Sequence, residues 1–400
     1  MLKQILKLSL VIGLLLSIDA VRFAYADVIA NYLTVEINDS GNHLDAEDIR
    51  VAGTLNGWTA TQYPTEQKKS GAYSLTLPLP DIEGVSLFNI YHTGNWQNPI
   101  ATEFGKPSTC GFLVDNRSNQ LKIDFYGWSQ DNHIKQNTNT LVGNLDTYSD
   151  FPMPQLDRKG EFYVLLPASY EKEAVRRYPV IYMLDGQNLF TEANSYSYEW
   201  RVDEIVKELG LEVIVVGVAN GENRWQEYNP WDTVNYTGAE LKGLGKQTIA
   251  FIKASLKPFI DEQFRTLTSS QDTALIGSSL GGLMALYAGT EHADTFGKVA
   301  AFSPSFSFKS IEGQNKLDSE DSNLFAAISA LKAAPTSKIY FDMGEVEYGS
   351  FALVDSLHKT LIDAGMSETQ LKLVKDKRGR HCELDWSKRL PMALTWLLAE

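Results

Sequence analysis

Ser279 stands in Gly277-Ser278-Ser279-Leu280-Gly281-Gly282, a G-x-S-x-G pattern. Ala274-Leu275-Ile276 before it reads as a buried strand, and the apolar, Ala-rich run after it reads as a helix. A serine on so sharp a strand-to-helix turn presents its hydroxyl clear of the sheet. Gly277 and Gly281 are expected there because a Cβ at either would clash as the strand folds back onto the helix. A serine hydroxyl is a poor nucleophile near neutral pH, so it needs a histidine base and a carboxylate to orient that base. With this topology the acid and then the histidine follow the serine along the chain. His292, His358 and His381 come after Ser279. His292 ends the helix beyond the turn and His358 lies inside another, whereas His381 follows a short Lys/Arg/Gly loop at 375–380. His381 is therefore the expected base. The acid belongs on the loop after the preceding strand, where Glu347 is the choice and Glu345 the runner-up. Asp342 sits almost within the strand, and Asp376 shares the histidine's own loop. Acyl chemistry also needs backbone N–H donors for the oxyanion. Leu280 supplies one, and Gly186 and Gln187 are the candidates for the second. These groups together describe two-step acyl transfer without any cofactor or metal.

Positioning such residues takes a sheet whose strands all end near one another. Strands are predicted at residues 161–166, 178–184, 212–218, 273–277, 298–302, 338–342 and 371–375. Helices are predicted at 200–209, 244–264, 324–333, 351–364 and 384–398, with Pro258 expected to kink or break the second. Alternation of this kind predicts an α/β fold with a mostly parallel sheet covered on both faces. Ligands then bind beyond the carboxyl ends of the strands, where every candidate above falls. Arg224, Trp225, Glu227 and Tyr228 follow the 212–218 strand and so face the site. Arg224 and Glu227 either bind substrate or form an ion pair with each other. The aromatics line the cleft or pack within it.

Residues 27–145 have a different texture: short alternating runs at 32–37, 73–79, 86–91 and 121–125, separated by Gly- and Pro-rich turns. They predict a β-sandwich, followed by a linker or edge strand at 146–160 and the catalytic domain at 161–400. Trp58, Trp96 and Trp128 could stack on sugar rings or fill the sandwich core. Residues 1–26 read as a signal peptide, with Lys3 and Lys7 first, an apolar stretch at 8–18 and Ala24-Tyr25-Ala26 before Asp27. This predicts a periplasmic or secreted protein with no membrane span once the signal is cut. The formal net charge of −14 becomes −16 without the +2 of Lys3, Lys7, Arg22 and Asp19, which argues against a nucleic-acid partner. Cys110 and Cys382 are the two cysteines, either a disulfide or two separate buried thiols.

At this point a resemblance is clear. From Glu161 onward the chain resembles the esterase D-like (putative esterase) family of α/β-hydrolases, which includes feruloyl and acetyl xylan esterases and enterochelin-type siderophore esterases. The likeness rests on the Ser279 elbow, Gly344 to Glu347, and His381 ahead of the Trp386-bearing helix. Leu184-Asp185-Gly186-Gln187-Asn188-Leu189-Phe190, Asn223-Arg224 and Glu227-Tyr228-Asn229-Pro230 also carry it. Gly53 to Trp58, Gly71-Ala72-Tyr73-Ser74 and Trp96 resemble the early-set, glycogen-binding-like sandwiches found ahead of such enzymes. The family implies a serine carboxylic ester hydrolase acting on a small-molecule or polysaccharide ester, with the front domain able to contact glycan. A carbohydrate-linked acetyl or feruloyl ester is the first expectation and a siderophore trilactone the second. A peptidase of the same fold is a further reading, as is a non-enzymatic secreted binding protein on this scaffold.

Overall fold

A computed structural model describes residues 31–39, 44–81, 83–131, 140–234, 240–306, 323–347 and 351–399. The expected signal peptide lies outside them. Two compact units divide between Gln136 and Asn137, ahead of the expected 145/146 boundary.

The first unit pairs a four-stranded and a three-stranded sheet. β1 (Asn31–Asn38), β3 (Thr65–Gln67), β4 (Tyr73–Leu79) and β7 (Gln120–Asp124) form one, in the order β3-β4-β1-β7. β2 (Ile49–Gly53), β5 (Val85–His92) and β6 (Phe112–Asp115) form the other, in the order β2-β5-β6. Alternate residues of β1 and β4 (Leu33, Val35, Ile37; Tyr73, Leu75, Leu77, Leu79) face one core that also takes Phe88 and Ile90 from β5. This is the sandwich pattern of period-two burial. The three tryptophans part company. Trp128 is in that core, its ring 5.1 Å from Phe125. Trp58 and Trp96 are 42% and 50% exposed. Asn56 explains the Gly-x-x-Asn-x-Trp spacing: its Oδ1 accepts from Gly53 N–H (2.9 Å), and its Nδ2 donates to the Val51 and Thr59 carbonyls (2.9 and 2.8 Å). One amide thus organises the turn that carries Trp58.

The second unit is built on an eight-stranded mixed sheet, order β17-β16-β15-β14-β10-β11-β9-β8. Its strands are β8 (Leu145–Met153), β9 (Arg158–Leu165), β10 (Val180–Leu184), β11 (Ile214–Val218), β14 (Thr273–Ser278), β15 (Lys298–Phe302), β16 (Lys338–Gly344) and β17 (Leu371–Asp376). A small ribbon, β12 (Thr233–Val234) with β13 (Glu240–Leu241), stands apart. β10, β11 and β14 to β17 run parallel, while the β8–β9 hairpin is antiparallel. The stretch expected as linker or edge, 146–160, therefore holds most of the edge strand β8, the turn after it and the start of β9.

The helices are α1 (Val202–Glu208), α2 (Arg224–Glu227), α3 (Gly245–Phe251), α4 (Lys257–Gln263), α5 (Leu280–Glu291), α6 (Asn323–Ser329), α7 (Ala352–Asp363) and α8 (Glu383–Leu398). On β10, Val180, Tyr182 and Leu184 join the core containing α3 to α7, while Ile181 and Met183 join the core of α1 and α8. Both faces are covered, as a parallel sheet requires. Pro258 does not break the predicted long helix. A π-turn over Ile252–Leu256 links α3 to α4, absorbing the hydrogen bond that proline cannot donate.

The elbow corrects one expectation. A Cβ on Gly277 would lie 2.4 Å from the Gly281 carbonyl oxygen, but a Cβ on Gly281 would meet nothing nearer than 3.5 Å. Gly277 is the residue that must lack a side chain, and Gly281 supplies the backbone it approaches. Gly277→Ala is expected to destabilise by about 3 kcal/mol in urea unfolding, and Gly281→Ala to be neutral or stabilising by up to about 1 kcal/mol. Equal losses for the two would contradict this assignment.

Candidate active site

Ser279 closes β14 and opens α5 with φ 56° and ψ −119°, a strained conformation held from both sides. Its N–H donates to the Phe302 carbonyl (2.9 Å) and its carbonyl accepts from Ser305 N–H (2.9 Å). Its Oγ lies 2.9 Å from His381 Nε2 and 3.3 Å from Ser305 Oγ. His381 Nδ1 is 3.0 Å from Glu347 Oε2. The Glu347 carboxyl is almost wholly buried and the imidazole about one quarter exposed.

Each side chain arrives on a strand-end loop. Glu347 follows β16 in a tight turn, and its Oε1 accepts from Gly344 N–H (2.8 Å) and Ser303 Oγ (2.7 Å). Glu345 is exposed, and Asp376 points to Arg389 Nη1 (3.3 Å). His381 lies between β17 and α8, bracketed by a clasp in which Arg380 Nε and Nη2 donate to Asp385 (2.8 and 2.9 Å). Burial alone would push the Asp385 carboxyl up, but Arg380 and Lys388 hold it well below the usual range. His358 sits 3.1 Å from Glu368, and His292 is half-buried at the end of α5 with its pKa lowered, chiefly by burial. Neither joins Ser279.

The oxyanion candidates lie on the turns that follow β14 and β10. The Leu280 N–H belongs to the first turn of α5, where amide hydrogens have no partner within the helix. Gly186 and Gln187 open a short 3-10 turn after β10. A Cβ on Gly186 would lie 2.5 Å from the Gly217 backbone, so glycine is required there by β11. Gln187 Oε1 accepts from Asn220 N–H (3.2 Å), tying the turn to the loop after β11.

That loop overturns the expected ion pair. Arg224 does not meet Glu227. It donates through Nε and Nη2 to Asp185 (2.6 and 2.7 Å), and Asn220 Nδ2 adds a bond to the same carboxylate (2.8 Å). Glu227 is buried and takes Arg158 Nε and Nη2 at 2.7 and 2.6 Å. Residues three apart on one turn have each found a partner from another element, so spacing alone did not identify them. Burial works against the Arg224 charge, but Asp185 outweighs it and the net shift is upward. Tyr228 is buried beneath Arg224, its hydroxyl accepting from Asp185 N–H (3.1 Å). Glu227 and Tyr228 therefore hold the loop together, while Trp225 is 49% exposed.

Several residues near the centre escaped sequence reasoning. Ser303 and Ser305 flank Pro304 at the end of β15, a position legible only as a strand end. Arg389, in no recognisable motif, reaches back from α8 to Asp342 (Nε to Oδ2, 2.8 Å). Burial raises Asp342 to about 6 despite the opposing pull of Arg389. Glu383, buried at the head of α8, is raised to about 7 by burial, with Asp185 adding to the shift and its own N–H, His381 and Arg224 opposing it.

Away from the centre, Glu199 is likewise raised to about 7 from an ordinary 4.5, first by burial and further by Glu192, Asp203 and Glu204. Between those values the folded chain holds the proton more tightly than the unfolded one. Stability contributed there is present below about 4.5 and lost as pH rises to about 7. Glu199→Gln should raise Tm by about 2 °C at pH 8 and leave it unchanged at pH 4.5 in thermal melts. An equal rise at both values would contradict the assigned cause.

Neither Cys110 nor Cys382 is a free thiol. Among the described residues, no group of three or more His, Cys, Asp or Glu is placed to hold a metal ion, and no helix is long and apolar enough to cross a membrane.

The family model described as "Putative esterase" matches residues 154–397. The uncharacterized protein YbbA of Bacillus subtilis is 25% identical over 246 residues, covering 59% of this chain and 91% of its own. An iron(III) enterobactin esterase of Dickeya dadantii is 25% identical over 259 residues, covering 63% of this chain and 54% of its own length. Among solved structures, the enterobactin esterase FES of Shigella flexneri with 2,3-di-hydroxy-N-benzoyl-glycine superposes with TM-score 0.60 at 14% identity. That match covers 92% of this chain and 93% of the other.

Proposed function

The chain belongs to the putative esterase family, and from that premise we propose that it hydrolyses the ester bonds of a siderophore of the enterobactin class. The observation that carries this choice is coverage. The likeness to an enterobactin esterase takes in 92% of this chain, front unit included, and a curated enterobactin esterase shares 25% of aligned residues. A carbohydrate-linked acetyl or feruloyl ester was the first expectation from sequence and is the second reading here. Exposed Trp58 and Trp96 favour it as a glycan contact, as does a net charge of −14, which gives no general attraction for an anionic ferric complex. The sequence resemblance of the front unit to glycogen-binding-like sandwiches belongs with that second reading.

The distances at the site support the following acyl-enzyme route. His381 Nε2 accepts the Ser279 proton as Oγ attacks the ester carbonyl, forming the Oγ–C bond. Leu280 N–H and the N–H of Gln187, with Gly186 beside it, receive the oxyanion. The C–O bond to the alcohol breaks, and His381 returns the proton to the leaving oxygen. Water repeats the sequence on the acyl-enzyme and frees the acid. Glu347 holds the imidazole and stabilises its charged form throughout. Residues 1–26 serve as an export signal in this reading, and the lack of a free thiol suits an oxidising compartment.

Purified protein would be assayed on a catechol trilactone, methyl ferulate and acetylated xylan. The trilactone should give the highest kcat/KM, by about 100-fold. A preference of that size for either of the other two esters would replace this reading with the carbohydrate one.

A further inference from the structure

Three groups converge on the hydroxyl of Ser303. Trp386 Nε1 lies 2.9 Å from Oγ, Arg389 Nη2 also 2.9 Å, and Glu347 Oε1 2.7 Å. An indole N–H and a guanidinium N–H can only donate, and a hydroxyl has two lone pairs and one proton. Trp386 and Arg389 occupy both lone pairs. The Ser303 proton therefore has one destination, Glu347 Oε1.

The same oxygen accepts from Gly344 N–H at 2.8 Å. With Oε1 engaged twice, Oε2 is left to His381 Nδ1 at 3.0 Å. A carboxylate accepting there places the imidazole proton on Nδ1 and turns the Nε2 lone pair toward Ser279 Oγ, 2.9 Å away. The surroundings of Ser303 are fixed in turn. Its φ is 43°, and its N–H donates to Asp342 Oδ1 at 2.9 Å. Asp342 also pairs with Arg389, which is 6% exposed. Trp386 touches both ends of the chain of contacts, since its ring meets the His381 ring edge-on at 5.0 Å.

We propose that Ser303 is a positioning residue for the acid, a hydroxyl made one-directional by Arg389 and Trp386 that holds Glu347 in the pose that orients His381. This rests on the catalytic reading of Ser279, His381 and Glu347 given above. Orientation of the base matters most after substrate is bound, so loss of Ser303 acts on kcat.

A double-mutant cycle on the full chain tests it, with p-nitrophenyl acetate as substrate. Ser303→Ala should lower kcat about tenfold with KM within about twofold. In a Glu347→Ala background the same substitution should change kcat by less than about twofold, because nothing is left to position. An equal fall in both backgrounds, or no fall in the native one, would overturn the proposal. If Glu347→Ala itself retained native kcat, the catalytic reading would fail, an outcome distinguishable from the other two. Should Ser303→Ala not accumulate as folded protein, Trp386→Phe serves instead. It keeps a ring beside His381 but frees one Ser303 lone pair, and should lower kcat about threefold only while Glu347 is present.

Discussion

His381→Ala is expected to lower kcat for ester hydrolysis by about a million-fold while leaving KM within a few-fold. The imidazole is the base within reach of the Ser279 proton, at 2.9 Å, and the same nitrogen must return a proton to the leaving alcohol. Ser279→Ala should fall to the same level, and the double variant should be no worse than either single one, because the two act as a unit. Glu347→Ala should be milder, about ten-thousand-fold, since its part is to orient the imidazole and stabilise its charge. Initial rates on p-nitrophenyl acetate decide this. A His381→Ala enzyme within tenfold of native, or losses that multiply across the double variant, would contradict the assignment.

Arg389→Leu carries the largest expected effect on stability, about 4 kcal/mol at pH 8. The substitution strands Asp342, which is fully buried, while Glu347 and Asp376 remain close by. Even beside Arg389, burial holds Asp342 at about 6, above its ordinary 3.8. The folded chain therefore binds this proton more tightly than the unfolded one, and its stability falls as pH rises through that window. Without Arg389 the carboxyl gives up its proton still less readily. The loss should accordingly shrink at pH 5, where Asp342 can stay neutral. Asp342→Asn in the Arg389→Leu background should recover part of it at pH 8. Urea unfolding at the two values checks this, and a loss independent of pH would point to packing instead of stranded charge.

Much of this centre was legible in the chain, for a topological reason. Parallel strands bring their carboxyl ends together, so a serine on one strand-end loop, an acid on another and a histidine after the last strand must lie close. Position on the strand-end loops, not order alone, singled out Glu347 over Glu345 and His381 over His292 and His358, and the structure places both beside Ser279. Side-chain partners were not legible in this way. Arg224 and Glu227 look like a pair on one turn, yet Asp185 and Arg158 take them from other elements. Ser303 gave no signal because a hydroxyl's direction depends on which donors crowd it, here two residues more than eighty positions away. Gly281 shows the same limit, since only the folded backbone reveals which side of the elbow is approached. The polar edge strand β8 resembled a linker because an edge strand leaves much of its surface in water.

The central claim is that Ser279 takes up the acyl group with His381 as its base. Treating the protein with a fluorophosphonate and mapping the modified peptide tests that directly. A single adduct on the peptide carrying Ser279 is predicted, absent from Ser279→Ala and greatly slowed in His381→Ala. An adduct on another serine, or undiminished labelling of Ser279→Ala, would contradict it.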